Sequence, residues 1–116
     1  MTDGGDVKGR ISVNDEAIGE LVAYTCMRSY GIVGMASQGL QEGVAQLLGR
    51  DSLRKGVRLH REGNDISLHL YVIIEAGVNI TEVAHNLIEG VKYMLAKSAG
   101  ATVSDVQVHV QGVRES

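Results

Sequence analysis

The side chains best suited to chemistry in this chain are three histidines on predicted strands. The alternation of apolar and polar residues places His60, His69 and His109 on the outer faces of their strands. If these strands are neighbours, the imidazoles approach one another, and imidazole is a good ligand for Zn, Ni or Cu. The spacing matches no local metal motif, so we predict solvated surface histidines with no metal and no cofactor, and keep a metal site as an alternative.

Two other patterns relate to catalysis or ligand binding. Cys26 lies at the flank of a helical apolar stripe, with only Arg28 as a nearby cation, which favours a structural thiol over a reactive one. The G-x-x-G of Gly31–Gly34 is apolar and leads from a helix into an extended stretch, unlike the basic loops of RNA-binding KH domains. There is no phosphate-binding loop and no serine elbow. We therefore predict a protein that is not an enzyme and has no small-molecule substrate.

A basic run reverses the local charge of a chain whose formal net charge is −3. It could attract phosphate, an anionic lipid surface or an acidic partner. It could equally be a solvated loop and strand edge. The run supports the alternative function of this chain, a nucleic-acid-binding accessory domain, through Arg50, Arg54, Lys55, Arg58 and Arg61.

Large apolar side chains on an outer sheet face are candidates for partner binding. Alternation assigns Tyr71 and Ile73 to the same outer face as His69, and His109 to the outer face of the last strand. Either this face is a contact surface, or another segment of the chain covers it. We take Tyr71, Ile73, His69 and His109 as candidate residues for self-association or partner binding.

The elements that position these residues follow from apolar periodicity. Asn14 is a predicted N-cap, and its helix is expected to end near Tyr30–Gly31. Asn79 and Glu82 resemble a capping box for the third helix, whose stripe is Val83, Leu87, Val91 and Met94 or Leu95, and which Gly100 ends. The predicted strands are 10–13, 31–36, 57–61, 65–75 and 103–110, and the remaining helix is 38–48.

These elements give the order β-α-β-α-β-β-α-β. Ile66, Leu68, Leu70, Val72 and Ile74 share one face of the longest strand, so helices should cover that face. The fold class is a two-layer α/β (α+β) domain with a small mixed or antiparallel sheet and helices mainly on one face.

The 116 residues fit one domain. Residues 1–8 are a predicted mobile leader, 9–113 the domain and 114–116 a tail. The longest unbroken apolar run, Leu70–Ile74, is far shorter than a membrane helix, and the polar N-terminus is no signal peptide. We therefore expect a cytoplasmic protein.

Three stretches, taken together, resemble one family. They are GIVGM at 31–35, GVNITEVA at 77–84 and VQVHVQGV at 106–113, accompanied by GRISV at 9–13 and LLGR at 47–50. Their order and spacing resemble the alkaline shock protein family of envelope stress response proteins, found mainly in Gram-positive bacteria. Thr81 departs from the family, which usually has proline there, and either residue is compatible with a helix start.

The resemblance implies a role in cell-envelope homeostasis without catalytic activity. The better-studied members of this family are cytoplasmic proteins that gather near the membrane through a small membrane-anchored partner and can self-associate. For this chain it therefore implies a homo-oligomer with a membrane-anchored protein partner, and a peripheral place at the membrane. The family offers no catalytic motif to assign to particular residues.

Overall fold

The computed structural model describes residues 13–36, 56–63 and 65–115. These residues form two helices and four strands. In chain order they are α1 (Asp15–Met27), β1 (Ile32–Met35), β2 (Val57–Glu62), β3 (Asp65–Glu75), α2 (Ile80–Ser98) and β4 (Thr102–Arg114). The predicted helix 38–48 and all but the last residue of the predicted strand 10–13 lie outside this part of the chain. Val13, which is inside it, is not in a strand.

β3 is the central strand of a mixed sheet. β4 runs parallel to it along its whole length, whereas β1 and β2 are antiparallel to it. β1 pairs with residues 72–74 of β3 and β2 with residues 65–70, so both lie on one edge, end to end, and β4 occupies the other. Of the two predicted alternatives, a mixed or an antiparallel sheet, the structure has the mixed one, with the parallel pair joined by α2 as a crossover.

Gly56 lies where β1 and β2 meet. A Cβ atom at Gly56 would come within 2.9 Å of both the Ala36 carbonyl oxygen and the Met35 Cβ, and within 3.1 Å of the Tyr71 carbonyl oxygen. The Ala36 N–H in turn donates to the Tyr71 carbonyl oxygen at 2.9 Å. Only a residue without a side chain fits this junction of three backbones.

α1 begins as predicted and ends earlier. The Asn14 side chain accepts a hydrogen bond from the Ala17 N–H at 2.8 Å, which confirms the N-cap. The helix ends at Met27, because the next two N–H groups bond three residues back, Arg28 to Thr25 and Ser29 to Cys26, which tightens the last turn. Gly31, with φ +85°, is therefore no cap; it turns the chain into β1.

α2 follows the prediction closely. The Asn79 side chain accepts a hydrogen bond from the Glu82 N–H at 2.9 Å, and Gly100 has φ +62° just beyond the helix. The buried stripe contains Leu95, while Met94 is only partly buried. The buried side chains of the helix recur every three or four residues and face the sheet: Val83, Leu87, Val91 and Leu95.

Both helices cover the same sheet face. Their buried side chains join one apolar cluster with the alternate residues of β3, all of which are 0 % exposed: Ile66, Leu68, Leu70, Val72 and Ile74. The predicted core face is therefore confirmed. At about 25 cal/mol per Å² of apolar surface removed from water, this aliphatic cluster supplies the main favourable term of folding.

No helix in the described ranges 13–36, 56–63 and 65–115 has the length and apolarity needed to cross a membrane.

Candidate binding surface

The sheet face turned away from the helices carries three of the predicted contact residues. In the parallel register of β3 and β4, His69 aligns with Gln107 and Tyr71 with His109. Partners in a sheet register point to the same face, so two predicted contact residues of β3 lie beside one of β4. We call His69, Tyr71 and His109 the ring cluster.

The two histidines of the ring cluster form a direct hydrogen bond. His69 Nδ1 and His109 Nε2 are 2.8 Å apart, the ring centroids are 5.1 Å apart, and the ring planes differ by 11°. A centroid separation that exceeds the N···N distance by about two ring radii means that the rings lie edge to edge. One nitrogen therefore donates its N–H to the other along the plane of the rings, and at least one of the two must offer a lone pair.

Tyr71 completes the ring cluster on the side of β3. Its ring centroid lies 4.7 Å from that of His109, and the two planes differ by 14°. Such near-parallel packing of rings is favourable beyond the apolar area it buries. All three side chains are partly buried, so the cluster is ordered by its own contacts and still reaches the surface.

The surroundings of His109 favour its neutral form. Partial burial lowers the pKa of His109 below its ordinary value of 6.5, and the neighbouring His69 lowers it further. Burial disfavours the charged imidazole, and a proton on His69 repels a second one. His109 is therefore mainly neutral at neutral pH.

Ile73 does not belong to this surface. It is 0 % exposed and packs with the buried Ala36 and the partly buried Val33 and Tyr71. Of the two alternatives for this position, a contact surface or cover by another segment of the chain, the structure shows the second for Ile73, which is therefore removed from the candidate contact residues. Strand alternation assigns a face correctly, but it carries no information about which distant segments pack on that face.

The other histidines stay apart from the ring cluster. His60 aligns with Ser67 of β3, one step along the face from His69, and is exposed. His85 is exposed on α2. Among residues 13–36, 56–63 and 65–115 no group of three or more His, Cys, Asp or Glu side chains could hold a metal ion.

The basic run is divided between two faces. Arg58 aligns with His69 and Arg61 with Ile66, so the two arginines point to opposite sides of β2. The Arg61 Nε lies 2.9 Å from an Asp15 carboxylate oxygen at the start of α1, which ties β2 to the helix layer. Arg50, Arg54 and Lys55 lie outside the described residues, so nucleic-acid binding by the run stays a prediction.

The remaining candidates for chemistry are structural. Cys26 is fully buried, and burial raises the pKa of its thiol to about 12, so it is protonated and unreactive at neutral pH. Gly31–Gly34 lies in the turn before β1 and in β1 itself, where Ile32 aligns with Ile74. It is therefore not a loop between two helices.

β4 adds a feature that the sequence patterns missed. It extends four residues beyond the predicted end, to Arg114, and in the described part of the chain β3 is its only strand partner. Val110 and Val113 are 37 % and 53 % exposed. Residues 106–113 contain no Asp, Glu, Lys or Arg, a pattern that could have suggested a strand edge open to pairing.

Comparison with known proteins identifies the family. A family model for the alkaline shock protein 23 family, described as having a cell envelope-related function, matches residues 4–115. The chain belongs to the alkaline shock protein family. The relationship to this family therefore covers both helices, all four strands and the ring cluster.

Curated relatives of this alkaline shock family member come from Gram-positive bacteria. The chain is 36 % identical over 107 residues to YloU of Bacillus subtilis, covering 91 % of this chain and 89 % of YloU. It is 33 % identical over 107 residues to Spy1614 of Streptococcus pyogenes, covering 91 % and 88 %. It is 21 % identical over 106 residues to YqhY of Bacillus subtilis, covering 91 % and 78 %. No solved structure matches significantly.

Membership supports an envelope-related role. The family description indicates no enzymatic activity. In the described part of this family member, the ring cluster reaches the surface and Val110 and Val113 of β4 are exposed.

The lowered pKa of His109 predicts a pH dependence of stability. The unfolded chain binds a proton at this histidine near pH 6.5, whereas the folded chain binds it only at lower pH. In that window the unfolded state holds more protons, so stability falls as the pH falls below 6.5. We expect the urea midpoint to drop more between pH 8 and pH 5 in the wild type than in His109→Gln. His85→Gln, on exposed α2 surface, should behave as wild type, and an equal drop in all three proteins would contradict the assignment.

Proposed function

We propose that this protein serves the cell envelope by binding rather than catalysis: it associates with further copies of itself and with a membrane-anchored protein. The contact is made along the outer edge of β4, and the ring cluster lies on the adjoining sheet face. The observation that carries the proposal is that residues 106–113 of β4 include no Asp, Glu, Lys or Arg and expose Val110 and Val113.

Within the described residues, β4 has no partner strand on its outer side. The outward N–H and C=O groups of such an edge can pair with a strand of another molecule. Proteins commonly protect such edges with charged side chains or proline. β4 has neither between Asp105 and Arg114, whereas the shorter β2, which borders the opposite edge, carries Arg58, Arg61 and Glu62. The less protected of the two edges is therefore the better template for an added strand.

Side chains on β4 contribute apolar area to the same edge. Val110 and Val113 align with the buried Val72 and Ile74, so they lie on the helix-covered face of the sheet. Both valines are nevertheless exposed. A partner strand would remove this surface from water. On the opposite face, Tyr71 and His109 offer flat rings beside the same edge.

Size-exclusion chromatography with light scattering tests the self-association. We expect the wild type to exceed its monomer mass of 12.4 kDa at micromolar concentrations. Val113→Lys should shift it towards the monomer, because a charge blocks edge pairing. Tyr93→Lys is the matched control, since Tyr93 is 66 % exposed on α2, away from β4. A strictly monomeric wild type would overturn self-association, and equal effects of both variants would exclude β4 as the contact.

Flotation with membranes tests the membrane-anchored partner. We expect the protein to float with membranes of its own organism, and to lose binding after those membranes are treated with protease. It should not float with protein-free vesicles of the same lipids. Equal binding to vesicles would show that lipid, not a protein, is recognised, and no flotation with untreated membranes would overturn this part of the proposal.

A further inference from the structure

The ring cluster brings together the nitrogen ligands that metals of the late first row prefer. All four histidines of the chain lie in the described residues, and only His69 and His109 have ring nitrogens in contact with one another. The one cysteine is buried with a protonated thiol and cannot compete for an ion. Any imidazole site formed by a single copy of this chain must therefore centre on this pair.

The spacing of the two nitrogens is close to that of two ligands on one ion. Zn–N bonds of about 2.0–2.1 Å at a tetrahedral angle place the nitrogens about 3.3 Å apart. His69 Nδ1 and His109 Nε2 are 2.8 Å apart in the present hydrogen bond. Widening their separation by about half an ångström and tilting each ring by about 35° aims both lone pairs at a common point, as a tetrahedral angle at the ion requires.

We propose that His69 and His109 form a two-imidazole binding site for a late first-row divalent metal ion such as Zn²⁺ or Cu²⁺. The proposal does not depend on self-association or on a membrane partner. The ion replaces the shared hydrogen bond: the donor ring loses the proton between the rings and takes one up from water on its outer nitrogen. Both neutral imidazoles then carry their proton on the outer nitrogen, Nε2 of His69 and Nδ1 of His109. From the neutral pair no net proton is released.

The neighbourhood of the site holds one of the two rings in place. The Tyr71 ring packs against His109 and limits its rotation. The positive charge of Arg58, which aligns with His69, repels the ion. Asp105 lies on the same sheet face, and its carboxylate accepts a hydrogen bond from Gln107 Nε2 at 3.1 Å.

Two protein ligands leave the remaining positions of the ion to water or to a group from another molecule. The described residues contain no third candidate donor grouped with the pair. Affinity should therefore be below that of closed four-ligand sites, and it should follow the order Cu²⁺ above Ni²⁺, with Cu²⁺ also above Zn²⁺. An open coordination sphere of this kind suits a reversible site at the protein surface.

Calorimetry on the full chain without an affinity tag tests the proposal. With ZnCl₂ and CuCl₂ at pH 7.5 we expect one ion per chain, and at least a tenfold loss of affinity in both His69→Ala and His109→Ala. His85→Ala and His60→Ala are matched controls and should bind as the wild type. A flat titration of the wild type, or unchanged binding in His69→Ala, would overturn the site.

An experiment on the wild type alone guards against misfolded variants. In nitrogen-detected NMR spectra, Zn²⁺ should shift the ring signals of His69 and His109 and leave those of His60 and His85 in place. An excess of the chelator EDTA should remove the shifts, since it takes up the ion. Equal shifts of all four histidines would show unspecific binding and would reject the proposal.

Discussion

Replacing Ile73 with serine should lower the free energy of unfolding by about 3–5 kcal/mol. Ile73 is 0 % exposed on the central strand, and it packs with Ala36, Val33 and Tyr71. Serine removes three carbons from this packing and buries a hydroxyl without an assured partner. Because a domain of this size is stable by only about 5–15 kcal/mol, urea unfolding monitored by circular dichroism should show a large shift in midpoint.

Tyr71→Ser is the informative companion of this variant. Tyr71 is only partly buried and contacts Ile73 and the His109 ring, so its loss should cost less than that of Ile73. If Ile73→Ser were as stable as the wild type, the covered face would not exist in solution. A Tyr71 and Ile73 double variant is unsuitable for testing assembly, because unfolding would mimic a loss of self-association.

Alanine at Gly31 should destabilise the fold by about 2–4 kcal/mol. Gly31 has φ +85°, a conformation that side chains other than glycine rarely adopt, and an added Cβ would come within 2.5 Å of the Val83 Cγ2. Val83 is buried in the first turn of α2, so the methyl group would push the helix away from the turn before β1. Equilibrium unfolding in urea measures the change.

Gly19→Ala provides the opposite result as a control. Gly19 lies inside α1, and a Cβ there would meet nothing within 4 Å. Alanine favours the helix by up to about 1 kcal/mol over glycine, so this variant should be as stable as the wild type or more so. A similar loss in both variants would point to a general intolerance of alanine rather than to the contact with Val83.

Features determined by neighbouring residues could be predicted from the sequence. The caps at Asn14 and Asn79 depend on atoms three residues away, and the buried face of β3 depends on alternation alone. The end of α1 was predicted too late because Gly31 has the conformation typical of a helix end but serves the following turn. Short-range rules identify such a residue without showing which element uses it.

The ring cluster depends on long-range pairing and could be predicted only in part. Alternation placed His69, Tyr71 and His109 on outer faces, but their contact requires β4 to lie parallel to β3 in one register. A shift of one residue would have moved His109 to the helix side. The burial of Ile73 likewise arises from packing with β1 and Ala36, and no pattern within β3 indicates it.

The junction at Gly56 has a consequence for how the chain can vary. Ala36 and Gly56 lie side by side where β1 gives way to β2, so the sheet holds the two ends of the segment 37–55 together. The entropy of joining two fixed ends by a chain segment grows slowly, by about 0.6 kcal/mol for each doubling of its length. A longer or shorter segment can therefore be exchanged between these two residues while the described strands keep their alignment, provided that Gly56 itself is retained.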